Sequence, residues 1–334
     1  MPANTPEAVT IDDIRAAAAR LEGHPVRTPM LESDLLNDVA GRRVLVKAEC
    51  LQRTGSFKFR GGWSAVSALS DEERSKGVIA FSSGNHAQGV ALAAKAHGTR
   101  AVIIMPKDAP QMKIDNTRSY GADVILYDRW GEDRDALGAR LANEQGLTLI
   151  KPFDNPMVIA GQGTCGLEIA EQAAQMGVTQ ADVLICCGGG GFTSGVALAL
   201  EAEAPGLTPR PVEPEGYDDA ARSLAAGERL ANTANAPSIC DAIVTPMPGV
   251  LTFPIMRRLC GPGLAVSDED TRRAQAAAWT HLKVVAEPGG AVALAAALYH
   301  KDRIKGDAVI CTISGGNADP TAFAKTIATY GVQA

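Results

Sequence analysis

Aromatic side chains are scarce, at 4% of 334 residues, so a core of this size must be filled mainly by aliphatic groups. The chain also lacks any run of basic residues. Its 32 Lys and Arg stand against 38 Asp and Glu, a formal net charge of −6. That balance argues against nucleic acid or an anionic membrane surface as a partner. Residues 1–14 hold Glu7, Asp12 and Asp13 where a leader needs a basic start and an apolar core, so neither a signal peptide nor a membrane span is expected. A cytoplasmic location is the matching expectation. Cysteine is present but without metal-type spacing: seven residues, at 50, 165, 186, 187, 240, 260 and 311, one adjacent pair among them. An odd count of this kind fits reduced, buried thiols and makes zinc an unexpected ligand. There is no repeat at a fixed period and no low-complexity tract.

What the chain does have is 46% hydrophobic residues and 34 glycines, a composition suited to an α/β protein with many tight strand-to-helix turns. The length allows two domains. From Gly77 onward, short apolar runs alternate with helical stretches. Strands are expected at 78–81, 101–105, 124–127 and 147–150, with helices at 87–96, 111–120 and 135–143 between them. That alternation predicts an open, mainly parallel sheet. The theme restarts after Pro156 with a helix at 159–176, a strand at 183–187, a helix at 192–202, a short strand at 211–213 and a late strand at 308–313. Two such sheets predict two domains, one of them (77–152) inserted into the sequence of the other (1–76 and 153–334). The stretches 205–214 and 232–254 are expected to be largely loop.

The run Gly55-Ser56-Phe57-Lys58-Phe59 sets a lysine between two rings. Desolvation there would disfavour the ammonium and free the amine as a nucleophile able to hold an aldehyde as a Schiff base. Taken locally, the commoner reading is a lysine whose stem lies on apolar surface, and only the rest of the chain reverses that order. Gly188-Gly189-Gly190-Gly191 follows an apolar strand and opens a helix, an arrangement in which backbone N–H groups can cradle a phosphate. A dinucleotide reading needs a third glycine, but that position falls on Thr193 or Ser194, although Glu213 could act as the ribose-binding acid. Ser82-Ser83-Gly84-Asn85-His86 brings hydroxyls, an amide and helix N–H groups to one junction, suited to a carboxylate or simply to capping. Ser314-Gly315-Gly316-Asn317 ends the last strand in a third polar turn. All three turns could face one cleft beyond the strands' carboxyl ends. Finally, 213–219 holds four carboxylates, either a helix start favoured by its dipole or an oxygen-ligand cation site.

Together these motifs, with Ala160-Gly161-Gln162-Gly163-Thr164, resemble in content and order the serine/threonine dehydratase and serine racemase family of fold-type II pyridoxal-phosphate enzymes. The resemblance spans nearly the whole chain. It implies two open, mainly parallel-sheet domains of the tryptophan synthase β-like architecture: a large cofactor-binding domain and a small, mobile substrate domain. It implies that Lys58 holds pyridoxal 5'-phosphate and moves the Cα proton, with Ser83 as the acid/base group on the opposite face. Gly188, Gly189, Gly190 and Gly191 would hold the cofactor phosphate, Asn85 the pyridine hydroxyl, and Ser314 would face the ring nitrogen. Ser82, Ser83, Asn85 and His86 would take the substrate carboxylate. Glu213, the Tyr217 carbonyl and Asp219 match the Mg2+ (or other divalent cation) ligands of the metal-dependent members. A homodimer is implied on the same basis.

A neutral hydroxyl at the ring nitrogen leaves the pyridine a weaker electron sink than a carboxylate would, which favours prompt loss of a β-hydroxyl. The implied reaction is therefore dehydration of a β-hydroxy amino acid to an enamine, which hydrolyses to a keto acid and ammonia. Arg134 matches an arginine near the active-site mouth of racemase-like members and could pair with a second carboxylate, which points to 3-hydroxyaspartate. The sequence as given has no long C-terminal extension, so feedback control of that kind is not expected. An amino-acid racemase and, from another class, a nicotinamide-dependent dehydrogenase are the alternatives.

Overall fold

The computed structural model describes residues 9–82, 84–109, 111–128, 131–232 and 238–331. Among the described residues ten strands form two sheets: β1 (Met30–Leu31), β2 (Arg43–Ala48), β3 (Val78–Phe81), β4 (Ala101–Pro106), β5 (Asp123–Tyr127), β6 (Thr148–Leu149), β7 (Ala181–Cys186), β8 (Leu207–Pro214), β9 (Leu264–Val266) and β10 (Ala308–Ile313). The six-stranded sheet has the order β1-β2-β10-β7-β8-β9, and the four-stranded sheet β5-β4-β3-β6. Among these ten strands only the β1–β2 pair is antiparallel.

Parallel strands covered by helices on both faces must be apolar throughout. Every residue of β3, β4 and β10 is buried accordingly. In the four-stranded sheet, Val78, Ala80, Ile103 and Met105 pack into one core cluster, while Ile79, Phe81, Val102 and Ile104 pack into another. This alternation across the pleat encloses the sheet from both sides. The α/β class and the parallel sheets are as expected from the sequence. Among the described residues no helix is long and apolar enough to cross a membrane.

Four strands depart from expectation. Residues 207–214, read as mostly loop because of Pro209, Pro211 and Pro214, form a full strand. Pairing with β9 begins only at Val212↔Leu264, so the outer edge at Pro209 and Pro211 needs no ladder N–H, and the Pro209 carbonyl accepts from Gly261 instead (2.9 Å). The strands β1, β2 and β9 escape the sequence reading altogether. In β2 the reason is Lys47, a charge inside an apolar run.

Lys47 belongs to a buried ionic cluster that anchors the helix Lys58–Ser67. Arg60 is fully buried and bonds Glu49 through Nε and Nη2 (both 2.8 Å) and Glu168 through Nη1 (2.7 Å). The Lys47 ammonium donates to the other Glu168 oxygen (2.6 Å) and to the Thr28 carbonyl (2.7 Å). The cluster ties β2 and the Lys58–Ser67 helix to the long helix Pro156–Gln175. That helix starts where the Asn155 side chain accepts from Met157 and Val158 (2.9 and 3.1 Å), with proline in the first turn. Against it lies the helix Gly191–Glu203, and a Cβ at Gly195 would clash with the Ile159 carbonyl oxygen. The motif at 160–164 thus sits at a helix crossing where backbones nearly touch.

Candidate functional site

A cavity of about 550 Å³ lies where the strand ends of the two sheets meet. Its wall includes Lys58, Ser82, Asn85, His86, Arg134, the four glycines 188–191 and Ser314. The three polar turns therefore do converge, as the strand order requires. The 54–57 and 314–317 segments are laced together: Phe57 N–H donates to the Ser314 carbonyl (3.1 Å), and Gly316 N–H to that of Gly55 (2.9 Å). Lys58 and Ser314 are thus held side by side at the cavity floor.

Lys58 is half-buried, with Nζ donating to the Pro152 carbonyl (2.9 Å). Burial of the ammonium lowers its pKa to about 8, though Cys186 and Glu287 pull the other way. At pH 7 roughly a tenth of such amines are neutral, against roughly one in three thousand at the ordinary value. The expected sandwich between two rings is corrected to one. Nζ lies 5.1 Å from the Phe57 centroid, whereas Phe59 turns away to pack on Trp63 (5.6 Å between centroids) in a separate core cluster. Phe57 itself stacks on Phe192 at 4.1 Å. Side chains two positions apart at a helix start point to roughly opposite sides, so only one could flank the amine.

The glycine loop meets the demands of a phosphate cradle. Gly190 has φ +89°, and a Cβ on Gly189 would run into the Phe153 ring. Among the described residues, nothing accepts from the N–H groups of Gly188, Gly189 or Gly190. Donors left open at a helix N-terminus fit an anion. Thr245 adds a buried hydroxyl oxygen without a partner to the same wall.

Opposite lies the 82–86 junction. Ser82 Oγ accepts from Gly84 N–H (3.2 Å), and Ser83 falls outside the described residues. His86 bonds the Ile150 carbonyl through Nε2 (3.0 Å), and burial lowers its pKa to about 3, so the ring is neutral. Its Nδ1 is buried without a partner. Asn85 is already engaged: Nδ2 donates to Glu287 Oε1 (2.5 Å), and Oδ1 accepts from Asn317 (2.7 Å). Arg134 is exposed at the rim, with its guanidinium 4.6 Å over the Phe81 ring.

Several groups in the cavity went unread in the sequence. Glu287 is buried, and desolvation raises its pKa to about 7, with Asn85 and Lys113 opposing. A lone acid before Pro288 gave no signal. Cys186 borders Lys58 and Ser314, and burial raises its thiol to about 11. Lys113 donates to Asp241 (2.9 Å), joining the segment after β4 to the loop before Thr245. A second cavity, of about 620 Å³, shares Lys113, Asp241 and Glu287 with the first but contains neither Lys58 nor the glycines.

The acidic segment 213–219 is not a solvated surface. Glu213 and Asp219 are both buried. Glu213 accepts from the N–H groups of Ala220 and Ala221 (2.9 and 2.8 Å), and Asp219 Oδ1 accepts from Asn232 (2.5 Å). Asp219 Oδ2 is left buried with no partner. Desolvation, then the charge of Asp219, pushes the Glu213 pKa well up. Two buried carboxylates with an orphaned oxygen suit a hard cation. The Glu213 carboxylate is also unavailable to a ribose, which removes the dinucleotide reading. Tyr217 lies on the turn between them, its N–H donating to the Pro214 carbonyl (3.1 Å).

Comparison with known proteins gives the same direction. The family model described as pyridoxal-phosphate dependent enzyme matches residues 21–316. The chain belongs to this family. It is 42% identical over 318 residues to the L-threo-3-hydroxyaspartate ammonia-lyase of Saccharomyces cerevisiae, covering 95% of this chain and 96% of that one. Its identity to the serine racemase of Schizosaccharomyces pombe is 38%, over 94% and 96% of the two chains. The crystal structure of T.th. threonine deaminase matches with a TM-score of 0.87 at 45% identity, over 93% of this chain and 99% of that one. The expected fold-type II architecture is therefore the one observed.

Proposed function

We propose that this pyridoxal-phosphate enzyme dehydrates 3-hydroxyaspartate, releasing a keto acid and ammonia, with threonine and serine as weaker substrates. The observation that carries the reading is that the desolvated Lys58 and the open-donor glycine loop line one cavity. Two relatives at 42% identity, both L-threo-3-hydroxyaspartate ammonia-lyases, support the substrate.

The residues fit the cofactor. Lys58 would hold its aldehyde, Gly188 to Gly191 its phosphate, Asn85 its hydroxyl, and Ser314 would face its ring nitrogen. When bound, pyridoxal phosphate supplies an electron sink that weakens the bonds at the substrate Cα. The lowered pKa of Lys58 lets its amine take the Cα proton near neutral pH. Ser82, Asn85 and His86 receive the substrate carboxylate. Because His86 is neutral with Nε2 committed to Ile150, it orients the substrate through dipoles rather than through charge. Ser83 serves as the proton carrier on the opposite face. Arg134, at the rim, draws a dicarboxylate substrate, net charge −1, in.

Glu213, the Tyr217 carbonyl and Asp219 would hold Mg2+, which relieves the two buried carboxylates and braces the turn after β8. We further propose a cytoplasmic homodimer in which residues 77–152 close as a small mobile domain over 1–76 and 153–334, the Lys113–Asp241 pair acting as a latch.

The test is a panel of 3-hydroxyaspartate, threonine and serine, followed through keto-acid and ammonia release with and without chelator. A preference for threonine over 3-hydroxyaspartate in kcat/KM would defeat the substrate assignment. Chiral analysis of recovered serine distinguishes the racemase alternative, because a pure lyase leaves no D-enantiomer.

A further inference from the structure

The cavity wall holds a second guanidinium that the motifs do not include. Arg229 follows the helix Asp219–Ala226 and lines the cavity together with Lys58 and the glycine loop. It is half-buried, and its Nε donates to the Pro248 carbonyl (2.8 Å). The next residue, Gly249, donates its N–H to the Gly189 carbonyl (3.1 Å). Arg229 is thereby fastened beside the glycine loop, on the side of the six-stranded sheet, whereas the 82–86 junction belongs to the four-stranded sheet.

The charges around it are already spoken for. Among the described residues three carboxylates line the cavity, and each has another partner. Asp154 Oδ1 accepts from Leu251 N–H (2.7 Å), Asp241 from Lys113, and Glu287 from Asn85. Arg229 has no acidic partner among the described residues, and only Nε is committed, so its two terminal nitrogens keep the fork geometry that suits a carboxylate. A cation of this kind, fixed at one end and facing a pocket, is pre-organised rather than merely exposed. Thr245, on the segment that carries Pro248, brings a buried and unpartnered hydroxyl to the same wall. Arg134, by contrast, is exposed and has its face covered by Phe81.

We propose that Arg229 is the receptor for the second carboxylate of a dicarboxylic amino-acid substrate, with the Thr245 hydroxyl as a further donor on that wall. The inference deepens the 3-hydroxyaspartate reading and rests on it. Specificity then comes from two anion sites on opposite walls: the 82–86 junction for the α-carboxylate and Arg229 for the distal one.

The test uses holoenzyme and two amino acids without a β-hydroxyl, L-aspartate and L-alanine. Their binding is titrated through the visible absorbance of the cofactor, in wild type, Arg229→Met and Arg229→Lys. Charge-assisted hydrogen bonds of this kind are worth about 1.5–3 kcal/mol, so Arg229→Met should weaken L-aspartate about 10- to 160-fold and leave L-alanine nearly unchanged. Arg229→Lys should recover part of the loss. Equal weakening of both ligands, or a selective loss of L-aspartate in Arg134→Met instead, would overturn the proposal. So would a drop in pyridoxal-phosphate affinity in Arg229→Met with L-aspartate binding intact, which would assign Arg229 to the cofactor phosphate. Selective L-aspartate binding through Arg229 without turnover of 3-hydroxyaspartate would uphold this subsite and defeat the proposed reaction. Turnover that is indifferent to Arg229 would do the reverse.

Discussion

Replacing Arg60 by methionine tests whether the buried ionic cluster holds the Lys58 helix in place. The change keeps much of the side-chain volume but strips Glu49 of both guanidinium bonds, leaving it the Thr28 hydroxyl (2.5 Å) in a fully buried setting. Glu168 keeps Lys47, so the damage falls mainly on one carboxylate. Removing one partner of a buried pair costs about 3–5 kcal/mol, because the survivor remains desolvated and uncompensated. For 334 residues the unfolding entropy is about 0.7 kcal/mol per kelvin, which converts that cost into a midpoint lowered by about 4–7 °C. Calorimetry of wild type and variant, with cofactor and at one scan rate, reads it directly. The double variant Arg60→Met with Glu49→Gln should regain more than half the loss, since a neutral amide is far cheaper to bury. A shift of about 1 °C or less in the single variant, or a double variant no better than the single, would refute the assignment of the cluster as an anchor.

Two further outcomes follow from the site. In cofactor-free protein, the rate at which pyridoxal phosphate becomes attached should rise with pH and level off above about 8, because the folded pKa of Lys58 lies below that of an ordinary lysine. An inflection near the ordinary value of about 10.4 would mean that the amine is not desolvated. Mg2+ at 100 times its Kd should raise the unfolding midpoint by about 4 °C, since such occupancy stabilises by about 2.7 kcal/mol. Asp219→Ala should abolish the response, and a chelator without effect on wild type would remove the cation site.

The strands β3, β4 and β10 were legible because they are apolar nearly throughout, with Thr312 the one polar side chain among them. The strand β2, with Lys47 inside it, went unread, and β8, with three prolines, was read only at 211–213. Burial of a charge or tolerance of a proline depends on what packs alongside, and the sequence does not show that locally. The site was legible in pieces. Each turn had an ordinary structural explanation, and only the order of five motifs resolved it. Glu287, Arg229 and Thr245 were invisible for a related reason: each is a single polar residue in unremarkable surroundings, brought to the cavity by the six-stranded sheet and its loops. The direction of Phe59 was misjudged because adjacency in sequence does not place two side chains on one helix face.

The most direct measurement is borohydride reduction of the yellow holoenzyme, followed by peptide mapping of the phosphopyridoxyl group. Among the described residues three lysines face the cavity: Lys58, Lys113 and Lys151. Label confined to Lys58, with loss of the visible band, is the predicted result. Label on Lys113 or Lys151, or full turnover by Lys58→Ala, would contradict the account.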